Sequence, residues 1–77
     1  MTDGNKAMTL AERIERDFTY HPPKGNQPDR YVLIRNKAKE LALLLAGNCP
    51  QSRELSLAFT KLDEVVMHAN SAIARNE

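Results

Sequence analysis

The sequence predicts an all-α fold: a short N-terminal helix, a proline-rich loop, then a long antiparallel two-helix hairpin that assembles as a compact homo-oligomer. Three observations lead there. Apolar residues recur at three- and four-residue steps in three separate stretches, the spacing of one helix face. Three of the four prolines fall within "FTYHPPKGNQPDRY", residues 18–31, the least helix-like part of the chain. Several large apolar side chains also lie off the helix seams, more than a hairpin can cover by itself.

The first helix is expected over about residues 9–18. Thr9 followed three residues later by Glu12 is a capping-box pattern. Ala7, Leu10, Ala11, Ile14 and Phe18 then share one face. A helix this short needs a partner to persist. Residues 1–8 before it are expected to be flexible.

The second helix is expected over about 28–46. Pro28 suits a first turn, where its missing N–H would have no partner anyway. Tyr31, Ile34, Ala38, Leu41 and Leu45 form its seam, and Gly47 reads as its terminator. The third is expected over about 52–75, capped by Ser52, with Pro50 at a first-turn position as the alternative. Leu55, Phe59, Leu62, Val66, Ala69 and Ile73 make its seam, widened by Ala58 and Val65. The short "GNCPQ" link forces helices two and three into an antiparallel hairpin. Val32, Leu33, Leu43 and Leu44 on the second helix, and Leu57 and Met67 on the third, project away from these seams. Identical copies are the simplest source of cover for them.

With 77 residues the chain reads as one helical hairpin domain, 1–77. A monomer of this size buries only about 60% of the surface its unfolded form exposes. One cysteine, Cys49, rules out an internal disulfide framework and points weakly to a reducing compartment. The opening "MTDGNKAMTLAERIERD" has neither a basic leader nor an apolar stretch, so a cytosolic location is expected. No apolar run approaches the roughly 18 residues of a membrane span.

Net charge is +1. It is unevenly distributed: residues 19–40 carry +3, and the flanking segments −1 each. Lys24, Arg30, Arg35, Lys37 and Lys39 create a local positive field that suits an anion, but no long basic stripe of the kind DNA or RNA binding uses. A solvated surface would look the same. Neither a glycine-rich phosphate loop, a paired-cysteine pattern nor HExxH is present, and His21, Cys49 and His68 lack zinc spacing. No catalytic residues, metal or cofactor are therefore expected.

What remains is the loop. Its prolines stiffen it, so a ligand could be held with little ordering cost. Tyr20 could offer a face to a base, while Lys24, Arg30 and Arg35 could meet phosphate oxygens. Each has a plainer alternative. Tyr20 could close the bundle end, the prolines could be a turn, and the stems of Arg35 and Lys39 could shield apolar neighbours. His21 reads as a hydrogen-bonding loop residue, and Tyr31 as core or interface. On helix three, Arg53, Thr60 and Asn70 are polar groups near or beside the seam, with a solvated face as the alternative. Pattern alone reaches a small helical oligomer with a candidate anion-binding loop.

"YHPPKGNQPDRYVLIR" and "CPQSRELSLAFTKLDEVVMHANSAIARNE" together resemble the small phage anti-CBASS nucleotide sponges, which share a helical hairpin domain with sponges of the Thoeris anti-defence type. The resemblance covers residues 18–77. It implies a homohexamer that binds cyclic dinucleotides such as cyclic GMP-AMP between neighbouring protomers and does not cleave them. Such capture would block host anti-phage immunity in the cytoplasm of the infected bacterium. It further implies Tyr20 for base stacking, Lys24, Arg30 and Arg35 for phosphate contact, and His21 and Pro22 for the pocket wall. Cyclic trinucleotides would use a second site, for which Arg53, Thr60 and Asn70 are the candidates. His68 departs from the pattern, standing where an aromatic such as tryptophan is expected. The competing classes are a cyclic-nucleotide hydrolase and a helical adaptor binding a host protein.

Overall fold

The computed structural model of the chain describes residues 8–77; Ala7 and the segment before it lie outside the described residues. Three helices follow in order: α1 (Leu10–Asp17), α2 (Gln27–Asn48) and α3 (Arg53–Asn76).

Thr9 caps α1 as its spacing predicts. Its Oγ1 accepts from the Glu12 backbone N–H at 3.0 Å, and the Glu12 carboxylate accepts from the Thr9 N–H at 2.9 Å. The apolar face of α1 is a different matter, because Leu10, Ile14 and Phe18 all lie exposed. What holds α1 to the rest is ionic, as described below.

Helix α2 takes Pro28 into its first turn and runs through Gly47 to Asn48, beyond the expected end. Glycine stops a helix by taking a left-handed conformation, and Gly47 does not: the one positive φ among the described residues belongs to Gly25. The stop comes from Pro50, which pushes the preceding Cys49 to an extended φ of −122° and ψ of 141°. Asn48 completes the end by donating from Nδ2 to the Leu44 carbonyl at 2.7 Å. Ser52 then caps α3, accepting from the Leu55 N–H at 3.1 Å while its hydroxyl donates to the Pro50 carbonyl at 3.0 Å. Pro50 itself lies outside α3.

Residues 49–52 turn the chain, and α2 and α3 pack along each other as the hairpin. All six residues of the α3 seam are buried or half-buried. On α2, Tyr31, Ile34, Ala38 and Leu45 are half-buried as the spacing predicts, but Ala42 joins them in place of the exposed Leu41. At about 1.5 Å per residue α3 is about 36 Å long. The chain accordingly measures 45 × 27 × 26 Å with a radius of gyration of 16.1 Å, against roughly 11 Å for a compact domain of this size. Among the described residues only Leu55 and Ile73 are buried apolar side chains. Val32, Leu33, Leu43, Leu44, Leu57 and Met67 are all exposed, as their positions off the seams imply.

Candidate functional site at the open end of the hairpin

Residues 18–26, which join α1 to α2, lie against the far end of α3 and are tied there at both sides. On the α1 side the tie is Asp17. Arg16 Nε donates to its Oδ1 at 3.0 Å, Arg75 Nη1 lies 3.5 Å from the same oxygen, and Arg13 Nε lies 3.6 Å from Oδ2. Arg75 also donates to the Asp17 carbonyl, and Arg16 to Asn76 Oδ1. The hydrogen bond from Arg16, helped by the charges of Arg75 and Arg13, holds the Asp17 carboxyl below the usual range.

On the α2 side the tie is Glu77. Arg30 clasps it with two parallel hydrogen bonds, one of them Nη1 to Oε1 at 2.9 Å. Gln27, only 4% exposed, adds a third from Nε2 to Oε1 at 3.3 Å. A buried carboxamide needs partners at both ends. Gln27 has them, because its Oε1 accepts from the Lys24 N–H at 3.1 Å while the Gln27 N–H donates to the Lys24 carbonyl at 3.0 Å. Gly25 inside this turn has φ of +57°, a conformation that costs a residue with a Cβ about 1–2 kcal/mol. The guanidinium lowers the Glu77 carboxyl below its usual range, and the carboxylate in turn raises Arg30.

These shifts fix the sign of a pH effect. Both carboxyls titrate lower when folded than when unfolded, so the ties contribute fully above the unfolded carboxylate range, about pH 4. They are lost as pH falls through the depressed folded values. The melting temperature of the wild type should therefore exceed that of an Asp17→Asn, Glu77→Gln double variant at pH 7, and the gap should narrow steadily as pH is lowered below about 4. Curves that stay parallel throughout would show that neither tie contributes.

Between the two ties the loop and the hairpin form a cleft of about 330 Å³, lined by Tyr20, His21, Pro23 and Tyr31 on one side and Asn70, Ser71 and Ala74 of α3 on the other. Tyr20 is 79% exposed. His21 is half-buried, and its Nε2–H donates to the Arg16 carbonyl at 2.7 Å, which makes Nε2 the protonated nitrogen and anchors the ring.

The expected site residues divide accordingly. Tyr20 and His21 line the cleft directly, whereas Pro23 rather than the exposed Pro22 forms its wall. Lys24 is exposed just beyond. Arg30 is engaged by Glu77 and by Asn26, to which it donates at 3.2 Å. Arg35 lies one turn after Tyr31 on α2 and lines a neighbouring groove with Lys39, Asp63, Val66 and Met67. Arg53, Thr60 and Asn70 do not come together in one chain. They stand along α3 with Arg53 and Asn70 about 25 Å apart, and the Thr60 hydroxyl donates to the Ser56 carbonyl at 3.2 Å. Sequence reasoning missed Gln27 and Glu77, and it placed Asn70 away from Tyr20.

Among the described residues no group of three or more His, Cys, Asp or Glu side chains is arranged to hold a metal, and no helix is long and apolar enough to cross a membrane. The open end of this all-α hairpin thus carries a tethered loop with an exposed aromatic and an exposed lysine. The chain belongs to the Acb2/Tad1 hairpin domain family, whose model matches residues 10–74. That family comprises the phage nucleotide sponges directed against CBASS and Thoeris defence, and its function is to sequester cyclic oligonucleotides without cleaving them. The protein is thus a non-catalytic nucleotide-binding protein. Comparison with curated proteins and with solved structures gave no match.

Proposed function

We propose that the protein takes up cyclic dinucleotides such as cyclic GMP-AMP in the Tyr20 cleft, completed by a neighbouring copy within a homohexamer. It acts in the cytoplasm of the infected bacterial host. The observation that carries this reading is the exposed Tyr20 ring on a largely apolar cleft that also presents His21, Asn70 and Ser71, with the exposed Lys24 just beyond it on the loop. Tyr20 stacks on a base, Lys24 and Arg35 meet phosphate, and His21 and Pro23 shape the wall, with Pro22 exposed beside them on the loop. Arg30 contributes phosphate contact only by sharing or exchanging its Glu77 partner.

The exposed faces of α1 and α2 support assembly. Leu10, Ile14 and Phe18 on one, and Leu33, Leu43 and Leu44 on the other, are apolar surfaces that isolated soluble chains rarely present. Arg53, Thr60 and Asn70 are too far apart to enclose a ligand within one protomer, so a cyclic trinucleotide site built on them requires several copies.

Calorimetry against a panel of cyclic di- and trinucleotides, on a sample whose mass is measured by light scattering, tests the reading. Binding of a cyclic dinucleotide by a hexamer is expected, with the ligand recovered as an intact ring after denaturation. A sample that ignores every cyclic dinucleotide, or returns a linear product, would overturn it.

A further inference from the structure

Asn70 sits in the wall of the Tyr20 cleft, yet its Oδ1 is buried and has no hydrogen-bond partner. It is the one buried side-chain polar atom in this condition among the described residues. An unpaired buried acceptor is costly, and such groups are uncommon in folded chains. Two polar side chains nearby are paired. His21 donates to a backbone carbonyl, and Gln27 has partners for both its oxygen and its nitrogen.

A side-chain amide offers an acceptor and a donor side by side. That pair is complementary to the exocyclic N6 amino group and the N7 acceptor of adenine. The terminal torsion of asparagine has a broad, shallow energy profile, so the amide can turn its oxygen toward the cleft when a donor arrives. Tyr20 and Tyr31 in the same cleft supply the aromatic surfaces between which a base edge would be presented to α3.

We propose that Asn70 is the base-reading residue of this cleft, its Oδ1 accepting from the N6 amino group of an adenine held there. The inference rests on the Tyr20 cleft being the messenger site. It also moves Asn70 out of a separate trinucleotide site and into the dinucleotide one. Adenine-bearing cyclic dinucleotides are then favoured because the corresponding edge of guanine presents two acceptors, O6 and N7, and no donor for the orphaned oxygen.

The test uses the full chain and two ligands: cyclic di-AMP, and its analogue with purine in place of adenine, which lacks the N6 amino group. Calorimetry should show the wild type binding cyclic di-AMP about tenfold more tightly than the analogue, since a buried acceptor left unpaired costs roughly this much. Asn70→Ala should reduce the preference to below about twofold, and Asn70→Asp, which keeps an acceptor, should retain most of it. Equal binding of the two ligands by the wild type overturns the inference without recourse to any variant. So does an Asn70→Ala protein that keeps the full preference, or one whose mass falls, which would assign the oxygen to a contact between copies. If the wild type binds neither ligand nor any other cyclic dinucleotide, the reading of the cleft fails first.

Discussion

Replacing Tyr20 by alanine should lower affinity for a cyclic dinucleotide about 5- to 150-fold, the equivalent of the roughly 1–3 kcal/mol that one base gains by stacking on an aromatic ring. The ring is exposed, so its removal takes little packing from the hairpin, and the mass of the assembly should not change. Tyr20→Phe keeps the face and should bind nearly as the wild type does. Calorimetry on samples of known mass separates these outcomes. An alanine variant within twofold of the wild type would remove Tyr20 from the site.

A carboxylate at Leu44 should act in the opposite order, breaking assembly first and ligand binding only in consequence. Leu44 is 59% exposed on the outer face of α2, so Leu44→Asp costs the isolated protomer little. In an interface it loses the roughly 1.5–3 kcal/mol of a buried leucine side chain, and it places an unpaired charge out of water besides. Because symmetry repeats the change at every equivalent contact, the concentration for half-dissociation should rise by about 100-fold or more. Sedimentation across a dilution series reads this directly. An unchanged mass would mean that this face is not where copies meet.

Much of the architecture was legible in the sequence because it depends on local rules. The Thr9–Glu12 box and the Ser52 cap are set by residues three apart, and the α3 seam by one period repeated over about five turns. The end of α2 was misread for a local reason too. Gly47 permits a stop without requiring one, whereas Pro50 constrains Cys49 and does require it. The long-range ties had no such signal. Gln27 and Arg30 meet Glu77 across 50 and 47 residues, and polar pairs of that separation leave no periodic trace. Tyr20 could be singled out by type and setting, but the approach of Asn70 to it depends on how the loop folds back over α3. The apolar face of α1 was read correctly as a face, and its lack of a partner within the chain could not be read from spacing.

The scant interior of the hairpin has a quantitative corollary for how such a trap would be deployed. With only Leu55 and Ile73 enclosed among the described residues, a lone polypeptide gains little by ordering itself, and in the proposed assembly most of the favourable free energy would be released when copies meet. Capturing capacity would then climb as a steep power of the amount synthesised, not in simple proportion to it. Early after gene expression begins, a cell would hold many molecules and almost no working traps; a modest further rise in dosage would switch them on together.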